Sequence, residues 1–135
     1  GAVSISNTFS RPAKDLIVGY YQHYYPDNEG LTLSSKRPYT IDDTARQRMN
    51  QLFQDKNTKE AFSILKAQLR HLGYSVPALY KQYADLTNQG GTSFLGFNID
   101  PDFNDCVDGL VVVDIKQMST QKQKRYGLME HAPKN

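Results

Sequence analysis

Five aspartates, Asp100, Asp102, Asp105, Asp108 and Asp114, crowd the stretch FNIDPDFNDCVDGLVVVDI from Phe97 to Ile115. Carboxylates at this density can hold a divalent cation, move a proton or fix a turn. Asp100, Asp102 and Asn104 mimic the first three ligand positions of a calcium loop, but Asp105 stands where that loop needs glycine and Val111 where it needs a bidentate glutamate. The metal reading therefore fails on spacing, and Asp and Asn side chains bonding their own backbone beside Pro101 make the stretch a strand connection. Asp114 differs because it interrupts LVVVDI inside a strand, where alternation puts it on the face opposite Val113 and Ile115, a face expected to be wet.

Tyr20, Tyr21, Tyr24 and Tyr25 with His23 form the most aromatic patch. A phenol can protonate a leaving group, yet Tyr20 and Tyr24 also read as core residues with hydroxyls at the rim. His23, His71 and His131 show no His-x-x-x-His or Cys-His spacing, so no metal is assigned, and Cys106 is read as packed instead of nucleophilic. Lys116, Lys122, Lys124 and Arg125 could meet anionic headgroups or an acidic carrier protein, or simply coat a solvated helix. No glycine-rich phosphate loop, Gly-x-Ser-x-Gly or Walker pattern occurs.

These residues need elements to position them. Ala2 to Ser6 reads as a short strand ending at Asn7, followed by a helix from about Arg11 to Tyr25 with Pro12 in its first turn and Pro26 as its stop. The segment from Pro26 to Thr40 is turn-rich and reads as a loop. Thr40 with Asp43 predicts the cap of a second helix carrying Ala45, Met49, Leu52 and Phe53, and Asn57 with Glu60 predicts the capping box of a third that stops at Gly73. A fourth helix from Ser75 and Pro77 is expected to turn Leu79, Tyr83 and Leu86 to one face and to end at Gly90-Gly91. Thr92 to Ile99 and Gly109 to Ile115 then read as two antiparallel strands with a long connection, and the basic segment from Ser119 as a terminal helix.

A chain of 135 residues fits one domain, residues 1–135, divided into a strand plus helix at 1–25, a helical segment at 40–89, a strand pair at 92–116 and a terminal helix at 119–130. Sixteen basic residues against fourteen acidic give +2, which is no nucleic-acid signature. The mean hydropathy of -0.62 indicates a polar surface, and the single cysteine forms no internal disulfide, so the expected compartment is the cytoplasm. No apolar run is long enough to span a membrane, and no segment has the amphipathic character of a haemolytic toxin. AVSIS follows the first glycine with no methionine, and the chain is read as a fragment of a longer protein.

Taken together, the opening GAVSISN, the pair Val76-Pro77 followed by LYKQY, and above all GFNIDPDFNDCVDGLVVVDI resemble the C-terminal half of bacterial proteins labelled hemolysins. That family is GNAT-like, relates to the N-acyltransferases that make ornithine and glycine lipids, and is often fused to a glycerolipid-type O-acyltransferase domain. The match touches both ends and the middle of the chain and is least clear from Thr32 to Lys56.

The resemblance implies an α+β fold, the C-terminal part of a GNAT-like mixed sheet of about three strands with an inserted segment of two to three helices. Ala2 to Ser6 would be the fifth strand of that sheet and the two late strands the sixth and seventh. The implied reaction moves a fatty acyl group from acyl carrier protein, or from acyl-CoA, to an amino acid's α-amine in aminolipid synthesis, with no tightly bound cofactor. Many such enzymes place an asparagine after the fifth strand and a tyrosine about seven residues later. Here Asn7 and Tyr20 or Tyr21 lie in the right elements, thirteen or fourteen residues apart.

On that footing Asn7 contacts the acyl donor, Tyr20 or Tyr21 protonates the departing thiolate, and Asp108 and Asp114 contact the acceptor amine. The elements that hold the donor's phosphates would precede Gly1, so the fragment alone is expected to be inactive. Expected partners are acyl carrier protein and the remainder of the parent chain, not nucleic acid. An exposed strand edge admits a homodimer, and the basic tail admits a peripheral contact at the inner membrane. The competing reading is a non-catalytic module that docks a partner protein or a membrane surface.

Overall fold

A computed structural model describes residues 2–27, 37–87, 90–114 and 116. The chain runs β1 (Ala2–Ile5), α1 (Arg11–Tyr24), α2 (Asp43–Phe53), α3 (Thr58–Leu72), α4 (Ala78–Asp85), β2 (Thr92–Asp100), a 3-10 turn (Pro101–Phe103) and β3 (Cys106–Val113). The fold is α+β, with three antiparallel strands in the order β1-β3-β2 and three helices, α2 to α4, between α1 and β2. The terminal helix expected at 119–130 lies outside the described residues.

Local chemistry sets each helix end. Ser10 caps α1 by accepting from the Ala13 N–H, with Pro12 in the first turn where its missing donor costs nothing. The α3 capping box forms as the sequence predicts: the Asn57 side chain accepts from the Glu60 N–H at 2.8 Å, and the Glu60 carboxylate accepts from the Asn57 N–H at 3.2 Å. Gly73 ends that helix at φ 91°, a left-handed conformation that glycine adopts without strain.

The cap of α2 is Asp42, not Thr40. Tyr39 N–H donates to Phe97 O at 2.7 Å and Arg11 donates to Thr40 O, so the chain is still held extended there, and Asp42 accepts from Ala45 N–H at 2.8 Å two residues later.

The sheet buries one face under the helices. Val3 and Ile5 from β1, Val107 and Val111 from β3, and Phe94 and Phe97 from β2 join Ile17, Leu65, Leu69 and Tyr80 in a single core. Strict alternation would send Phe94 and Phe97 to opposite faces. A bulge between Phe94 and Gly96 reverses the parity, so that Phe94 faces Val111, Phe97 faces Gly109 and both rings point inward. Gly109 has a steric reason: a Cβ there would lie 2.8 Å from Phe97 Cε1 and 3.1 Å from the Tyr80 hydroxyl.

Two expectations are corrected by this packing. The inward face of α4 is Tyr80, wholly buried, with Tyr83 and Ala84 beside it, whereas Leu79 is 52% exposed. Tyr80 wins that face because its ring stacks within 5° of parallel on Phe94 and within 4° on Phe97, which a leucine cannot do. The helix also stops at Asp85, well before Gly90, where the Thr92 hydroxyl donates to the Tyr83 carbonyl at 3.1 Å and sits 2.8 Å from the Thr87 hydroxyl.

The late strand pair is tighter than expected. β3 begins at Cys106 opposite Asp100, so Asp108 is within the strand and the connection shrinks to Pro101–Asp105. Asn104 and Asp105 both adopt φ 56°, a left-handed pair that these two residue types tolerate better than most. Asp100 caps the turn by accepting from the Asp102 N–H at 3.0 Å.

Candidate functional site

α1 carries the aromatic patch into the centre of the molecule. Tyr20 is 1% and Tyr21 0% exposed, with ring centroids 4.8 Å apart and planes perpendicular. The Tyr20 hydroxyl donates to Thr58 O at 3.3 Å and shares a hydrogen bond with the Tyr25 hydroxyl. Tyr24 reaches Lys56 O at 2.9 Å, so the expected rim role fits it better than Tyr20. The Tyr21 hydroxyl is buried and has no hydrogen-bond partner among the described residues.

Burial pushes the Tyr20 and Tyr21 phenols well above the ordinary tyrosine range, and the neighbouring Tyr25 hydroxyl adds to the effect for both. Each phenol therefore stays neutral and keeps its donor. An unpaired neutral donor on a residue that lines a cleft can hold an acceptor atom or a developing anion once one reaches it.

That cleft lies between α1, α3 and α4 and encloses about 430 Å³. Tyr20 and Tyr21 line it from α1 and Tyr25 from the C-terminal cap of that helix, Lys59, Phe62 and Lys66 from α3, and Lys81 and Asp85 from α4. Sequence reasoning missed the contributions of α3 and α4, whose only signal was lysine at positions 59 and 66, seven residues apart and thus on one helix face.

The other expected site residues lie elsewhere. Asn7 is exposed on the turn from β1 to α1. Asp108 stands on the sheet face away from the core, opposite Ser4 on one side and Asn98 on the other, and accepts from the Ser4 hydroxyl at 2.6 Å. Asp114 is exposed just past β3; its N–H donates to Gly91 O at 2.7 Å and its carboxylate accepts from the Lys116 N–H at 3.0 Å. Six residue steps along extended chain separate the two carboxylates by roughly 20 Å, too far for one small amine. Asp105 pairs with Arg37 at 3.5 Å. No group of three or more His, Cys, Asp or Glu among the described residues is placed to hold a metal ion.

A second polar cluster had no sequence signal. Asp15 is buried on α1, accepting from the Tyr39 hydroxyl at 2.6 Å and from Arg11 Nε at 3.2 Å, while the Arg11 guanidinium lies 4.5 Å from the Tyr39 ring centroid. It pins the segment at 37–39 to α1 while that segment's backbone bonds to the β2 edge. Half of the Arg11 side chain remains in water, so the cluster holds a connection in place more than it stores charge energy.

Comparison with known proteins relates the chain to acyltransferases. Over 126 residues, 93% of its length, it is 24% identical to a glycine N(alpha)-acyltransferase of Bacteroides thetaiotaomicron, and over 126 residues 23% identical to a glycine N(alpha)-acyltransferase of Phocaeicola vulgatus. The chain spans 36% and 37% of those two proteins, little more than a third of each. No family model matches, and no solved structure matches. Among the described residues no helix is long and apolar enough to cross a membrane.

Proposed function

We propose that the chain is the distal part of an N-acyltransferase that moves a fatty acyl group from acyl carrier protein to the α-amine of an amino acid, as a step in aminolipid synthesis. What carries the reading is the extent of the match: 93% of the chain aligns with two proteins named for N-acylation of glycine. An α+β fold consistent with part of a GNAT-like domain supports it. Glycine is accordingly the first acceptor to test and ornithine the second.

In this reading the amine nitrogen attacks the thioester carbonyl, a C–N bond forms, the C–S bond breaks, and the thiolate leaves. Positioning supplies most of the rate, and two protons must move: one off the amine and one onto the sulfur. The proton for sulfur falls to Tyr20 or Tyr21. Tyr21 is the stronger choice, because the Tyr20 hydroxyl already donates to Thr58.

Asp108 is the better placed of the two carboxylates for an amine, since the Ser4 hydroxyl orients it on an accessible sheet face, while Asp114 serves its own turn. Asn7 would meet the acyl donor at the β1 end. The α1 tyrosines and Asp108 lie on opposite sides of the sheet, so a single centre uses one group or the other, with the rest of the parent chain completing it.

Incubation of the purified full-length protein with acyl-loaded carrier protein and glycine is expected to give N-acylglycine, detected by mass spectrometry. Release of free fatty acid alone, with neither glycine nor ornithine acylated, would overturn the proposal.

A further inference from the structure

The cleft between α1, α3 and α4 has features that packing alone does not require. Tyr21 is one of its lining residues, and the Tyr21 hydroxyl is fully buried and unpartnered among the described residues, although buried polar groups nearly always find a partner. Three lysines, Lys59, Lys66 and Lys81, line the cleft from two helices, against one acidic residue, Asp85. Lys66 Nζ sits 5.2 Å from the Phe62 ring centroid, which holds that charge at an aromatic wall. The volume of about 430 Å³ lies within the roughly 300–1,000 Å³ typical of small-molecule sites.

We propose that this cleft binds a single-chain amphipathic carboxylate of the N-acyl amino acid class, with its carboxylate among Lys59, Lys66 and Lys81 and an amide oxygen accepting from Tyr21. The proposal rests on the acyl-transfer reading for the identity of the ligand, which would be the product of that reaction. An amide oxygen supplies the acceptor that Tyr21 lacks, a carboxylate answers the lysine excess, and the alkyl chain covers the aromatic walls. Phe62 and Tyr25, the partly exposed rings of the lining, then exchange water for hydrocarbon.

Calorimetric titration of the full-length protein with N-dodecanoylglycine, below its micelle concentration, tests this directly. The expected result is saturable binding that weakens with salt, while dodecyltrimethylammonium, a cation of the same chain length, does not bind. Tyr21→Phe should weaken binding about tenfold, the worth of one buried hydrogen bond. Lys66→Gln with Lys81→Gln should weaken it at least as much and flatten the salt dependence. Tyr21→Phe removes an unpaired hydroxyl and keeps the ring, so its unfolding midpoint should not fall, and that measurement separates lost binding from lost folding.

Absence of N-dodecanoylglycine binding, equal binding of the cation, or unchanged affinity in Tyr21→Phe would overturn the site. Binding with these dependences in a protein that transfers no acyl group would support the cleft and overturn only the reaction reading.

Discussion

Tyr80→Ala is expected to destabilise the protein by about 3 to 5 kcal/mol, the range for deleting a large buried ring. The ring is wholly buried and stacks on Phe94 and Phe97, and its hydroxyl donates to Val3 O on β1 at 3.4 Å. One side chain on α4 thus reaches two strands of the sheet. Alanine would leave a cavity between α4 and the sheet that rings already stacked face to face cannot close. Tyr80→Phe keeps the stack and loses one long hydrogen bond, so its cost should stay below about 1 kcal/mol. Denaturant unfolding followed by circular dichroism separates the two variants; a midpoint for Tyr80→Ala close to that of Tyr80→Phe would mean that the stack contributes little.

The second large effect is on turnover. On the proposed acyl-transfer reading, joint replacement Tyr20→Phe and Tyr21→Phe in the full-length protein should slow acyl transfer about 100-fold, the lower end of what a positioned acid contributes. Tyr21→Phe alone should account for most of the loss, since the Tyr20 donor is engaged by Thr58 O. Both variants keep their rings in the core, so slow turnover with an unchanged unfolding midpoint would place the defect in the chemistry. Unchanged turnover in the double variant would remove both tyrosines from the reaction and leave them as packing residues.

The parts of this fold that could be read from sequence are those whose signals are local. Asn57, Glu60 and Gly73 mark α3 because caps act within three or four residues of the helix end. The inward face of α4 was not legible, since Leu79 and Tyr80 are both apolar enough for it and only the distant rings of Phe94 and Phe97 decide between them. The start of β3 was hidden for a related reason: Asp108 looks like turn chemistry until Ser4, one hundred and four residues earlier, is seen donating to it.

Legibility of the candidate site divides in the same way. Tyr20 and Tyr21 stand out because they are adjacent in an aromatic run. Their surroundings do not, because Thr58, Lys66 and Lys81 come from helices that the sequence places without fixing their docking. The Asp15 cluster was missed outright. Arg11 and Asp15 are four apart and read as an ordinary helix-surface pair, and Tyr39 joins them only through a connection that reads as loop. The aspartate-rich stretch resolves into structural tasks: Asp100 caps a turn, Asp105 shapes it and meets Arg37, and Asp114 braces the end of β3. Asp108 is the member of the set whose position leaves room for chemistry.

The most direct test of the acyl-transfer reading is a lipid extract. Cells of a bacterial host that lacks such lipids, made to produce the full-length protein, should yield a new phosphorus-free aminolipid by mass spectrometry, with a fragment mass identifying glycine or ornithine as its amino acid. An extract identical to that of control cells, with the protein folded and abundant, would contradict the reading.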